Sequence, residues 1–318
     1  MLFFALLATF SFLYEHQPEP AEEIVWEEVE TIPFDELILS WNGERPRSTG
    51  GYGFLVSVRQ KEEWSQWLYY AEWDSFGQIV LREDIPFIPV EAQYGIVKTR
   101  KKTPLCDGFR IRVFGWGGAN LKEMHKLWVA VANLGEFKPS QTPTNLSSVL
   151  LQNVPRQSLI TLRHERYGDL AMPTSIATAL NCLLGKREVS YLDFADHAKD
   201  DDNKGYEYWP LNVAEAYQRL HWGVHVERLN GFEEIHAELA AARPVVVSMR
   251  GFVTGGPRPF YRPHALCVIG YDAEKKKVLC IDPAFPNDRA TFAAYDLSDF
   301  LRVWAAEKNI ACIFGENP

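Results

Sequence analysis

The sequence predicts two unlike halves, an all-β sandwich followed by an α+β unit, and three observations lead there. Short apolar stretches punctuated by Gly, Pro, Asn and Asp run from about Phe34 to Glu136, the rhythm of an antiparallel sandwich. Lys138 to Asn153, containing KPSQTPTNLSS, has the composition of a boundary. Beyond it, helical periodicities alternate with strands that carry almost no polar residue. A chain of 318 residues is also longer than one core usually serves.

Taken in order, the chain opens with Leu2 to Tyr14, thirteen residues without a charge. That is short for a bilayer span and fits a signal-peptide h-region, although no Lys or Arg precedes it and no A-x-A site follows. Export, an uncleaved tether to membrane or cell wall, and a cytoplasmic protein all stay open. The acidic segment Glu15 to Glu30 reads as a linker, so residues 1–30 form one unit of anchor and linker. Strands are expected at Leu37–Leu39, Gly53–Val58, Gln66–Tyr70, Gly95–Val97, Phe109–Phe114 and Leu127–Val131, in a sandwich spanning 34–137. Trp41, Trp64, Trp67 and Trp73 serve glycan or wall binding, docking, or core filling; alternating strand aromatics favour the last two.

After the 138–153 linker, a unit from 154 to 318 begins with the helix Tyr167 to Gly185. Asp169 suits its N-cap, Pro173 its first turn and Gly185 its C-terminal stop. Ile176, Ala177, Ala179, Leu180 and Leu183 give it one apolar face. Further helices are expected at Val189–Ala198, Leu211–Leu220, Gly231–Ala242 and Leu297–Ala306. Buried strands are expected at Val245–Met249, His264–Asp272, Lys277–Pro283 and Ile310–Phe314.

Composition removes several functions. A net charge of −9 with no basic stripe excludes nucleic acid as a partner, and Lys98–Lys102 reads as a solvated loop. Cys106, Cys182, Cys267, Cys280 and Cys312 show neither CxxC nor zinc spacing, and four sit in apolar runs as buried thiols. Asp200-Asp201-Asp202-Asn203 lacks the spacing and terminal Glu of an EF-hand and reads as a solvated loop. No metal or cofactor is implied.

A buried helix whose N-terminus opens into a cleft is where a thiolate is stabilised. There Leu170-Ala171-Met172-Pro173-Thr174-Ser175 resembles the W-C-S-P-T-S signature of bacterial papain-like cysteine peptidases related to the bacteriocin-leader-processing family (peptidase family thirty-nine-like). The cysteine of that signature is the nucleophile, and Ala171 holds its position here. His264-Ala265-Leu266 running into Ile269-Gly270-Tyr271-Asp272 is similar to the family's H-A-L-x-V-x-G-Y-D, which makes His264 the base. Asp282-Pro283 matches the D-P word, whose Asp orients the histidine, and a hairpin over Gly270–Lys277 would bring the two together. Gln157 in Val154-Pro155-Arg156-Gln157-Ser158 resembles the oxyanion-hole glutamine, with Gln152 as a rival. The words Phe34-Asp35-Glu36-Leu37, Ser40-Trp41-Asn42 and Trp64-Ser65-Gln66-Trp67 resemble the sandwich that precedes the peptidase domain in some of these proteins.

The resemblance implies an N-terminal all-β sandwich plus a C-terminal α+β papain-like cysteine peptidase domain. Such a site needs a thiolate, an imidazole, an orienting carboxylate or amide and an oxyanion donor. A methyl group at 171 supplies no thiolate. Ser175 lies one turn on, ~6 Å along the helix, and Cys182 lies deep on the apolar face. The expectation is therefore a peptide-binding pseudopeptidase whose partner is a peptide or protein. The alternative is an active thiol peptidase, amidase or transferase whose native residue 171 is Cys. Leu170 and Met172 also depart from the signature, which favours the first.

Overall fold

The computed structural model describes residues 9–47, 49–83, 90–101, 103–143, 145–185 and 188–315. Twelve strands come first: β1 (Ser11–His16), β2 (Glu23–Phe34), β3 (Glu36–Gly43), β4 (Gly51–Gln60), β5 (Glu63–Trp64), β6 (Leu68–Asp74), β7 (Gln78–Val80), β8 (Arg82–Glu83), β9 (Val90–Gln93), β10 (Ile96–Thr99), β11 (Cys106–Trp116) and β12 (Met124–Ala132). They form two antiparallel sheets, ordered β1-β12-β3-β10-β9-β8 and β2-β11-β4-β6-β7, with β5 paired to β4. Inward side chains of both sheets share one apolar cluster, including Leu37, Trp41, Phe54, Trp73, Phe109 and Val129. Alternation produces this: β11 reads buried at every second residue from Phe109 to Val113.

Trp41 and Trp73 are core, 0% and 1% exposed. Trp64 and Trp67 instead clamp the Arg110 guanidinium, 4.8 and 4.5 Å from their ring centroids. The linker reading of residues 15–30 is corrected. β1 pairs with β12 through His16 and β2 pairs with β11 from Glu23, because Ile24 and Trp26 point into the core while Glu23 and Glu27 face outward. The acidic composition is the solvent face of a strand. The uncharged run beginning at Leu2 ends inside β1, and its residues 1–8 lie outside the described residues.

The second half holds β13 (Val149–Leu150), α1 (Ala171–Leu183), α2 (Tyr191–Ala198), α3 (Trp209–Leu220), β14 (Val224–Arg228), α4 (Phe232–Ala240), β15 (Val245–Gly251), β16 (Phe260–Asp272), β17 (Lys277–Ile281), β18 (Phe292–Asp296), α5 (Leu297–Ala305) and β19 (Ile310–Phe314). Their sheet runs β14-β19-β15-β16-β17-β18, antiparallel throughout, with β13 on β16. One face packs on α1 through Ala265, Cys267 and Ile269, and the other on α4 and α5 through Leu266, Val268 and Phe300. The five cysteines are free thiols. Among the described residues no helix is long and apolar enough to cross a membrane.

The halves meet over a polar and apolar seam. Asn42 on β3 donates to the Val224 carbonyl at 2.7 Å and accepts the Val224 N–H at 3.0 Å. Arg228 on β14 pairs with the fully buried Glu36 on β3 and donates to the carbonyls of Glu307 and Lys308 at 2.7 and 3.0 Å. Burial by itself would raise the Glu36 carboxyl, but the charges of Arg228 and Lys98 hold it below the usual range. Two expectations of solvated loops are corrected here. Asp200 and Asp201 accept the Val80 and Gln78 N–H groups at 2.8 Å each, so the aspartate run clasps β7 because that edge strand has backbone donors to satisfy. In the basic stretch, Lys98 pairs with Glu36 at 3.4 Å and Arg100 with Glu91 at 3.6 Å; Lys102 lies outside the described residues.

Candidate active site

The approach to α1 is a 3-10 turn over Tyr167–Asp169, and the cap residue is Leu170, not Asp169. The Asp169 carboxylate is drawn away by Arg166, at 2.9 Å, so the helix N-terminus has no side-chain cap. Leu170 and Ala171 pack with Leu159, Ala195 and Tyr206, which sets the first turn by burial instead of by capping. Ala171 is thus the first helical residue, 4% exposed, at the positive end of the helix dipole.

Across the cleft, β16 carries His264, also 4% exposed. Its ring stacks on Phe260, centroids 4.1 Å apart and planes within 4°, and Nε2 meets Asp282 Oδ1 at 2.8 Å. A carboxylate only accepts, so Nε2 donates and Nδ1 is left free to act as base or acceptor. Asp282 also accepts the Tyr295 hydroxyl at 2.6 Å and the Ala284 N–H at 2.9 Å. Complete burial alone would raise its pKa; the His264 charge and these three hydrogen bonds hold it lowered. Burial, and then the Asp282 charge, push the Tyr295 phenol well up. A hydrogen bond ties the two flanks: Ser175 Oγ, one turn after Ala171, donates to the carbonyl of Ala265, the residue after His264, at 3.0 Å.

The structure pairs His264 with Asp282 and ties the helix that starts at Ala171 to the same strand through Ser175; Gln157 lies in a loop whose Leu159 N–H donates to the Pro283 carbonyl at 2.8 Å. The Gln157 amide donates to Thr161 Oγ1 at 2.8 Å and the Ser158 carbonyl at 3.1 Å, beside Asp288 Oδ1 at 3.4 Å. Asp288 also takes the Ser158 N–H at 2.8 Å, so it gathers this loop onto itself. Gln157 borders a separate depression beside Thr161 and Tyr191, and Gln152 bonds only the Leu150 carbonyl at 3.3 Å. The amide donors of Gln157 are thus engaged by groups of its own loop.

A cavity of about 270 Å³ opens beside Ala171. Its walls come from both halves: Met172 of α1, Pro263 and Ala265 of β16, Tyr208 and Trp209 at the start of α3, and Tyr94 and Ile96 of the β9–β10 hairpin. Glu207 stands at its edge. Desolvation there and the neighbouring Asp169 raise its pKa, against Arg262 and His264. Sequence reasoning missed Tyr295, Phe260, Glu207 and the whole hairpin wall; the inward turn of Tyr295 shows only in the burial alternation of β18, since Phe292-Ala293-Ala294-Tyr295 is apolar throughout. Among the described residues no group of three or more His, Cys, Asp or Glu could hold a metal ion.

Comparison with known proteins follows from this geometry. The model described as "Peptidase_C39 like family" matches residues 152–312. A solved structure of a candidate C39-like peptidase from Bacillus anthracis is 18% identical, covering 54% of this chain and 98% of its own, at a TM-score of 0.42. Xylellain, a cysteine protease from Xylella fastidiosa, is 10% identical, covering 58% of this chain and 88% of its own, at a TM-score of 0.28. No curated protein matches the chain.

Proposed function

The chain belongs to the peptidase C39-like family, and from that premise we propose that it is a pseudopeptidase, holding an extended peptide in its cleft without cutting it. One observation supports the reading: α1 begins on a methyl group, at the position the resemblance gives to the nucleophile, while His264, Asp282 and Tyr295 stand in hydrogen-bonded order on the neighbouring strands. A methyl group neither ionises nor forms an acyl-enzyme. The nearest hydroxyl on the helix face, Ser175, is committed to the Ala265 carbonyl. The Cys182 thiol lies far along the helix and is pushed up to about 11 by burial, away from the thiolate form. In this reading the two N-terminal sheets are a β-sandwich whose β9–β10 hairpin forms part of the cleft.

A second reading, an active thiol peptidase, amidase or transferase with Cys at 171, draws support from the retained order around His264. The Ala171→Cys protein separates them when titrated with a thiol-reactive probe. Fast labelling below pH ~7 marks a thiolate tuned by helix and imidazole, and peptide hydrolysis by that variant would favour the second reading. Labelling at the rate of an ordinary thiol leaves the binding function standing.

A further inference from the structure

The β9–β10 hairpin reaches from the N-terminal half into the cavity beside Ala171, and three features make it a fixed wall. Gly95 at its tip has φ +81, and a Cβ there would lie 2.8 Å from Pro210 of α3, so hairpin and helix touch backbone to ring. The buried Tyr70 hydroxyl accepts the Leu39 N–H at 3.1 Å and hydrogen-bonds the Gly95 carbonyl. Tyr94 stacks on Tyr208, centroids 5.5 Å apart and planes within 13°. A wall supported in this way is organised before any ligand arrives, which lowers the ordering cost of binding.

The chemistry of the lining then narrows the occupant. Apart from Glu207 at the edge, its charges are paired within the protein: Arg228 with Glu36 and two carbonyls, the half-exposed Lys98 with Glu36, and Glu307 with Arg250 at 2.9 Å. Tyr94, Ile96, Met172, Trp209 and Ile310 present the apolar surface. At ~30 Å³ per water, 270 Å³ is the space of about nine waters, room for one large side chain and too little for a length of extended chain. Met172 is unbranched and can adjust to such a guest.

We infer that the β9–β10 hairpin is the selectivity wall of the cleft, and that the cavity beside Ala171 takes one bulky apolar side chain, Phe- or Leu-like, of the bound peptide. This deepens the peptide-binding reading and rests on it. The occupant inserts between the Tyr94–Tyr208 pair and the Met172, Ile96 and Ile310 surface, with the peptide backbone passing Ala171 outside the cavity.

The test uses the full chain and fluorescent, N-acetylated, C-amidated hexapeptide mixtures in which one position at a time is fixed as Phe, Leu, Gly or Asp. At one position the Phe and Leu mixtures bind about ten-fold tighter than the Gly and Asp mixtures. Tyr94→Asn removes the ring yet tolerates the positive φ of 53 at this turn, and it cuts that preference at least about three-fold. Ile96→Ala does the same from the opposite strand of the hairpin. Thermal unfolding of both variants checks that they fold, and the comparison on the unaltered chain stands if either does not. Binding without preference at any position, or a preference that survives both substitutions, overturns the assignment while leaving peptide binding intact. If no mixture binds at all, the peptide-binding reading falls and this assignment with it.

Discussion

The two flanks of the cleft are built to different rules. On the strand flank the orienting carboxylate is tied on every side: Asp282 is fully buried and takes hydrogen bonds from His264, Tyr295 and the Ala284 backbone. On the helix flank the first turn is apolar, from Leu170 through Ala171 to Met172, and no side chain caps it. The contrast shows which parts of a peptidase-like site are also structure. An orienting carboxylate is bound into the core, so its loss would leave buried donors without partners. Under the proposed reading a nucleophile would contribute one atom beside the cavity, and a methyl in its place leaves the packing whole.

That contrast can be broken first at Asp282. Asp282→Ala strands the buried Tyr295 hydroxyl and His264 and should cost about 3–5 kcal/mol in chemical denaturation. Ala171→Cys adds its sulfur beside a cavity and should cost about 1 kcal/mol or less. Equal losses from the two substitutions would contradict the distinction between flanks. The same carboxylate sets an acid limb. Because its folded pKa is depressed, its stabilisation is present in full above the unfolded value, about 3.9, and is lost as pH falls through the lower folded value. Stability should therefore fall with acid in that window, and Asp282→Asn, measured by denaturation from neutral pH downward, should flatten the slope.

Next in size is the seam that brings the hairpin to the cleft. Arg228→Met leaves Glu36 buried beside Lys98 alone and should cost about 3 kcal/mol. A joint Glu36→Leu, Arg228→Met protein should recover much of that loss, since an uncompensated buried charge is what hurts. Smaller again is Gly95→Ala, which forces an unfavourable φ and a contact with Pro210, at about 1–3 kcal/mol. Its sharper consequence is at the cleft: peptide binding should weaken with the displaced wall, read by the same fluorescent mixtures.

Much of the second half was legible from residues alone. β15, β16, β17 and β19 overlap the near-continuous apolar runs, with β15 running on to Gly251, β16 starting earlier at Phe260 and β17 ending at Ile281, since a strand covered on both faces leaves no room for polar side chains. The His264–Asp282 pairing is implied by the resemblance at 264–272 and 282–283, with a hairpin between to bring the two together. By contrast β2 escaped notice, because a strand with one wet face in an acidic sequence looks like a linker when its alternation is missed. The Asp169 cap failed for a related reason: an N-cap preference of about 1 kcal/mol yields to Arg166 and to the burial of Leu170.

What the sequence determined by itself is local: the apolar periods of α1 and of the buried strands, the methyl group at 171, and the words that carry histidine and aspartate to one hairpin. Only tertiary structure could decide which side chains from distant segments share a space. Gln157 is turned to Thr161 and Ser158 of its own loop, and that loop is held by Asp288, 131 residues from Gln157, through the Ser158 N–H. Tyr94 and Ile96 line the cavity beside Ala171 because Glu36–Arg228 and the Gly95–Pro210 contact dock one half on the other. Periodicity and short motifs encode contacts between near neighbours. Meetings across the chain are set by the packing of whole faces, and no short word of sequence spells them.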